Sequence, residues 1–183
     1  MATGQCRRID VGLLCGEPFF NMAGVGLDAR VALAFAANTG RRGLLRYVQL
    51  ALGELLRYRP VRCRIEAGDE PAIDTRVVFI ALANSRQYGN NACIAPRARL
   101  DDGRVDVVAV EAQSLWRIIR RVPALFRGTL APEPGLIMRA VERATITVDG
   151  PVAVHLDGEA RLLDRPIEVR VRPAALVVVT PAG

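Results

Sequence analysis

The chain of 183 residues contains no lysine: all 25 of its Lys and Arg positions are arginine, and its only histidine is His155. Without lysine there is no Walker A lysine, no Schiff-base lysine and no kinase-type ATP lysine. With one histidine and no Gly-x-Ser-x-Gly, a Ser-His-Asp hydrolase is set aside. Aromatic residues are 5% of the chain, and no nucleic-acid-binding motif accompanies the basic charge, so no nucleic-acid partner is expected. The four cysteines, Cys6, Cys15, Cys63 and Cys93, form no C-x-x-C pair. They suit a reduced chain better than a disulfide framework or a zinc site. No apolar run is long enough to span a bilayer. The stretch from Met1 to Asp10 lacks the apolar segment of a signal peptide, and Ala2 stands where N-myristoylation needs glycine. A cytoplasmic chain is therefore expected.

What is present bounds the answer further. The length suits one domain over residues 1–183, with 51% hydrophobic residues to fill a core. A net charge of +6 favours anionic partners such as phosphate groups or an acidic membrane face. Genome composition is the alternative explanation of an all-arginine basic set.

Period-2 alternation dominates the chain. Ile9–Leu14 and Glu17–Met22 read as short strands in a hairpin across Cys15-Gly16. Ala23-Gly24-Val25-Gly26 reads as a turn into a helix, with Asp28 as N-cap and the helix running to Ala37. A second helix is expected from Leu44 to Tyr58, stopped by Pro60. Val61, Cys63, Ile65 and Ala67 alternate with polar neighbours, as a half-exposed strand does. Ser114 can cap a short basic helix, Leu115 to Val122, carrying Arg117, Arg120 and Arg121 beside Trp116 and Ile119. The last third reads as strands, broken at Asp149-Gly150-Pro151 and Asp157-Gly158-Glu159. The expected fold is α+β and β-rich. It is a two-layer, β-sandwich-like domain with an inserted helical pair and a short basic helix.

Three stretches carry candidate chemistry. Gly24-Val25-Gly26-Leu27-Asp28-Ala29 fits G-x-G-x-x-A, but a helix occupies the place where a dinucleotide fold needs its second parallel strand. Glycines that permit a tight strand-to-helix turn are the favoured reading. Val77–Ala83 reads as a strand buried on both faces, joined to the strand at Val105–Val110 by a loop. That loop bears Gly89-Asn90-Asn91 and Leu100-Asp101-Asp102-Gly103. Asp157-Gly158-Glu159 sets two acids around a glycine at a strand end. In both acidic stretches Asp-Gly is also the ordinary signal of a hairpin turn. His155 lies two residues before Asp157, on the same side of the strand, where a satisfied structural histidine is the expectation.

The chain resembles the C-terminal domain of the bacterial diacylglycerol kinase and lipid kinase family, related to sphingosine and NAD kinases. The resemblance rests on Asn84, Tyr88-Gly89, Ile94-Ala95-Pro96, Ala98, Leu100-Asp101-Asp102-Gly103 and Val105-Asp106-Val107. Phe20–Ala29, Gly43–Tyr47 and Asp157-Gly158-Glu159 agree in order, so it covers nearly the whole chain. One departure is that Gly89-Asn90-Asn91 replaces the family's run of glycines.

The resemblance implies a general base at Asp157 or Glu159, accepting the proton of a lipid hydroxyl; the two stay unseparated. It implies a Mg²⁺ site with Asp102 as carboxylate and the carbonyls of Arg99 and Arg104 beside it, a donor set that suits Mg²⁺. ATP is expected mostly on a nucleotide-binding domain with a G-G-D-G-T motif, present in cis or in trans and not found within these 183 residues. The acceptor implied is diacylglycerol or a similar membrane lipid alcohol, met by a protein peripheral to an anionic membrane. A homo-oligomer is compatible with all of this. The alternative is a non-catalytic lipid- or membrane-binding module.

Overall fold

The computed structural model describes residues 4–36, 53–54, 56–89 and 91–181. Strand β1 (Gly4–Leu14) turns into β2 (Glu17–Phe19) across Cys15 and Gly16, both at positive φ, as the expected hairpin requires. Then come β3 (Met22–Gly26), helix α1 (Leu27–Ala36), β4 (Val61–Ala67) and β5 (Ile73–Ala83). A small hairpin, β6 (Gln87–Gly89) and β7 (Ala92–Cys93), interrupts the path to β8 (Val105–Glu111). Two short helices, α2 (Leu115–Arg120) and α3 (Val122–Arg127), precede β9 (Leu136–Val141) and β10 (Arg143–Val148). The chain closes with β11 (Val152–Leu156), β12 (Glu159–Leu163) and β13 (Ile167–Pro181).

Eleven strands form one antiparallel sheet in the order β12-β11-β3-β5-β4-β10-β13-β1-β2, with β8 and β9 attached beside β5. Strand β5 is the branch point. Its first half pairs with β4 (Ile65↔Ile73 to Val61↔Val77), and its second half pairs with β3 (Gly26↔Phe79 to Met22↔Ala83). Its other edge carries β8. The sheet curls on itself, which gives the sandwich-like, β-rich α+β fold expected. The two layers are thus one continuous sheet rather than two separate ones.

The curl encloses a core of Leu14, Phe19, Ile65, Ile80, Leu82, Ile146 and Ile167. A second cluster, with Met22, Val31, Ala81, Ile94, Ala95 and Val108, lies against the opposite face of β5 and β8. Residues of β5 and β8 therefore feed both clusters, and Val77–Ala83 is apolar without alternation for that reason. Strand β4, by contrast, buries Cys63, Ile65 and Ala67 and exposes the residues between them.

Four expectations shift. Met22–Gly26 is a fully buried strand, not a turn into the helix. Helix α1 begins at Leu27, so Asp28 lies in its first turn, where its carboxylate accepts from the Ala29 amide (2.8 Å). The basic helix ends earlier than Val122: α2 stops at Arg120, and α3 restarts at Val122 with Pro123 in its first turn, where proline's missing N–H costs nothing. Strand β9 was not expected, because its sequence LIMRAV follows a Pro-Glu-Pro-Gly loop and does not alternate. The expected second helix of the inserted pair lies mostly outside the described residues; Gly53, Glu54, Leu56 and Arg57 are helical.

Candidate active site

Asp157 and Gly158 form the turn between β11 and β12 with φ of 46° and 95°, the left-handed pair of a type I′ hairpin. The Asp157 carboxylate does more than turn the chain. Its Oδ2 accepts from the Phe20 amide (2.7 Å), and its Oδ1 accepts from the amides of Asn21 and Met22 (both 2.9 Å). Its own amide donates to the Met22 carbonyl (2.8 Å). One carboxylate thus pins the segment between β2 and β3 to the hairpin. Glu159 is exposed at the first position of β12, opposite Leu156, with its carboxylate free of hydrogen bonds to the described residues.

Behind this turn lies a buried polar cluster. His155 is 3% exposed, its Nδ1 accepts from the Gly158 amide (3.3 Å), and its Nε2 faces the Tyr88 hydroxyl (2.7 Å) and Asp28 Oδ2 (3.2 Å). With Nδ1 accepting, the ring proton sits on Nε2. Tyr88 donates to Asp28 Oδ2 (2.5 Å). Gly24 in β3 makes room for the cluster: a Cβ there would stand 1.8 Å from Asp28 Oδ2 and 2.5 Å from His155 Nε2. The first glycine of the G-x-G-x-x-A pattern therefore serves side-chain packing.

The second acidic stretch is built separately. Gly103 turns the chain with φ 71° just before β8. Asp102 is exposed, and its Oδ1 accepts from the Arg104 amide (3.1 Å), which leaves Oδ2 open. Among the described residues nothing donates to the carbonyl of Arg99 or Arg104. One free carboxylate oxygen and two free carbonyls fit a hard cation that keeps several waters. Asp101 is committed elsewhere, to Arg7 (2.7 Å) and Arg99 (3.4 Å), and these arginines hold its carboxyl below the usual carboxylate range. Asp106 in β8 is buried; desolvation first, then the Asp102 charge, pushes its carboxyl up to about 6. No cluster of three or more His, Cys, Asp or Glu suited to a metal occurs among the described residues, so any cation here would depend on backbone carbonyls.

Two buried residues connect the acidic stretches. Asp10 in β1 is 2% exposed and accepts from the Gly103 amide (2.7 Å) and the Ala174 amide (2.8 Å), while its own amide donates to the Leu100 carbonyl (2.7 Å). Asn84, fully buried at the end of β5, donates through Nδ2 to the carbonyls of Asp10 (3.0 Å) and Phe20 (2.8 Å). The path Asp157–Phe20–Asn84–Asp10–Gly103 is thus a continuous chain of hydrogen bonds. Beside it opens a cleft of about 610 Å³, lined by Arg7, Asn21, Ser85, Arg86, Arg99 and Asp101 among others.

The family described as the YegS C-terminal NAD kinase beta sandwich-like domain matches residues 21–180. The chain belongs to this family. It is 29% identical over 185 residues to a diacylglycerol kinase of Mycobacterium tuberculosis, covering 97% of this chain and 59% of that protein. It is 30% identical over 181 residues to a probable YegS-like lipid kinase of Pseudomonas aeruginosa, covering 97% of this chain and 58% of that one. The chain thus spans a little over half the length of these relatives. In fold it is similar to a putative diacylglycerol kinase of Bacillus anthracis, with TM-score 0.72 at 18% identity, covering 94% of this chain and 56% of that one. It is a lipid-kinase family domain.

Within this family domain, Asp157 and Glu159 lie at one corner, and Arg99, Asp102 and Arg104 at another, joined through the polar chain rather than in contact. Sequence reasoning missed Asp10 and Asp28 as site residues and treated Asn84 and Tyr88 only as parts of a pattern. Asp10 had a signal: a lone acid inside the apolar run Ile9–Leu14. The Asp28–Tyr88–His155 meeting had none, because three distant segments supply it.

Proposed function

We propose that this domain is the acceptor-side half of an ATP-dependent, Mg²⁺-dependent lipid kinase acting on diacylglycerol or a similar lipid alcohol. ATP is carried mainly by a nucleotide-binding domain supplied in cis or in trans. The names of the relatives support the substrate class. The observation that carries the division of roles is the engagement of Asp157 by three backbone amides. A carboxylate so engaged has little lone-pair capacity left for a substrate proton, whereas Glu159, two residues on, is exposed and unengaged. Glu159 is accordingly the proton acceptor, and Asp157 holds the corner that presents it.

The Asp102 carboxylate and the carbonyls of Arg99 and Arg104 would hold Mg²⁺, which when bound would supply positive charge against phosphate oxygens. Arg7, Arg86 and Arg99, with Asp101 offsetting one of the three charges, leave the neighbouring cleft a net cationic lining suited to an anionic group.

The test joins this chain to a nucleotide-binding domain of the family and measures ATP-dependent phosphorylation of diacylglycerol against Mg²⁺ concentration. Glu159→Gln lowers turnover by about 10²–10⁴-fold at an unchanged Mg²⁺ requirement. Asp102→Asn raises the Mg²⁺ needed, and Asp101→Asn leaves it where it was. The chain without such a domain gives no turnover. If several well-folded fusions stay inert, the kinase reading fails and the non-catalytic lipid-binding module takes its place.

A further inference from the structure

Helices α2 and α3 bury no residue completely. Ile118 and Leu125 tie them to the second core cluster. On the other side Trp116, Ile119, Val122 and Phe126 are 68%, 43%, 43% and 52% exposed. Four large apolar side chains on two consecutive short helices, open to water, are not the pattern of a solvated face. The charges within the two helices are of one sign. Arg117, Arg120 and Arg127 are exposed, and residues 115–127 include no acid. Arg121 is different: its side chain is 14% exposed, pairs with Glu133 and donates to the Pro134 carbonyl (2.9 Å), so it braces the helix junction from within.

We infer that the outer face of α2 and α3 seats on an anionic lipid bilayer, with Trp116, Ile119, Val122 and Phe126 entering the interface and Arg117, Arg120 and Arg127 meeting lipid phosphates. An exposed Trp among apolar residues, ringed by arginine, matches the polarity gradient of a headgroup region. Charge complementarity selects this occupant over a second copy of the chain, since two such faces would bring six arginines together without a counter-charge. The placement also serves the cleft: α3 packs on β7, and β7 pairs with β6, whose Gln87 and Gly89 line the cleft. The inference needs no phosphoryl transfer and stands apart from the kinase reading.

Trp116 is the only tryptophan in the chain, so its fluorescence reports this face alone. Mixed with phosphatidylglycerol-containing vesicles and no nucleotide, the protein should co-sediment and shift its emission to the blue, and added salt should weaken both. Each arginine is worth about a fivefold change in partitioning, so the Arg117→Gln, Arg120→Gln, Arg127→Gln triple variant should bind roughly a hundredfold more weakly. Phe126→Ala should also bind more weakly and retain the reporter. A triple variant of equal charge on β10 and β13, Arg143→Gln, Arg170→Gln, Arg172→Gln, should bind within a few-fold of the parent. Circular dichroism confirms that each variant is folded. Equal binding to pure phosphatidylcholine vesicles overturns the inference. So does co-sedimentation with no change at Trp116, which would place the contact on another face. A blue shift that grows with protein concentration in the absence of lipid, with a dimer in sedimentation equilibrium, assigns the face to a second copy instead.

Discussion

Asp106 is a carboxyl group taken out of water. Burial, and then the nearby Asp102 charge, raise it from 3.8 to about 6 in the folded chain. The folded state therefore holds this proton more tightly than the unfolded state does. The stability it contributes is fully present below about pH 4 and is lost as pH rises through about 6. From pH 4 to pH 7 the loss is about 2 kcal/mol, allowing for solvent screening of the carboxyl. Asp106→Asn cannot lose a proton, so its stability relative to the parent should improve over that interval by about that amount. Urea unfolding of both proteins in EDTA at the two pH values checks this. A difference between them that does not vary with pH would show that burial does not act through ionisation. The neighbouring acids show why residue type alone assigns no role. Asp101 is held by arginines, Asp102 keeps an open oxygen, and Asp157 is spent on backbone amides, though all four are ordinary aspartates in the sequence.

Strand β3 shows the same dependence at the level of an element. Met-Ala-Gly-Val-Gly has weak strand propensity and two glycines, and it reads as a turn. It becomes a strand because β5 and β11 pair with its two edges. Gly24 survives inside it because Asp28 and His155 occupy the volume that a Cβ would take. Gly24→Ala should therefore cost about 2–3 kcal/mol through overpacking. Gly53, helical and with none of the described residues near its Cβ position, is the contrast. Gly53→Ala should raise stability by about 0.4–1 kcal/mol. Urea midpoints of the two variants decide it. If Gly24→Ala is neutral, the cluster of Asp28, Tyr88 and His155 is loose and does not fix the strand.

Across the whole molecule, the two acidic corners are coupled by buried polar groups. Asn84 bonds the carbonyls of both Asp10 and Phe20, and Asp10 in turn holds Gly103. Removing the amide with Asn84→Ala leaves buried carbonyls unpaired and should cost about 1–3 kcal/mol. Asp10→Asn leaves the carbonyl that Asn84 bonds and loosens the carboxylate's hold on Gly103 and Ala174, so a cycle of the two should show a coupling of at least about 0.5 kcal/mol, carried by the backbone they share. Strict additivity in urea unfolding would mean that the corners are held independently. The curled sheet makes this coupling available by bringing β1, β5 and β13 together around Asp10, although they are distant in the chain.

The sequence by itself determined most of the strands, the Asp-Gly turns, the buried character of β5 and the family. These follow from local patterns, namely period-2 alternation, turn chemistry and motif order, which need no knowledge of distant partners. It also determined which acids are candidates, because few other reactive side chains are present. Only the tertiary structure decided which acid is free. Asp157 and Glu159 are equivalent in a string, and they separate when the amides of Phe20, Asn21 and Met22 arrive from 135 or more residues away. Asp10 and Asn84 became links between sites for the same reason. A buried polar group must find its partner through space, and sequence pattern carries no information about which distant backbone will supply it.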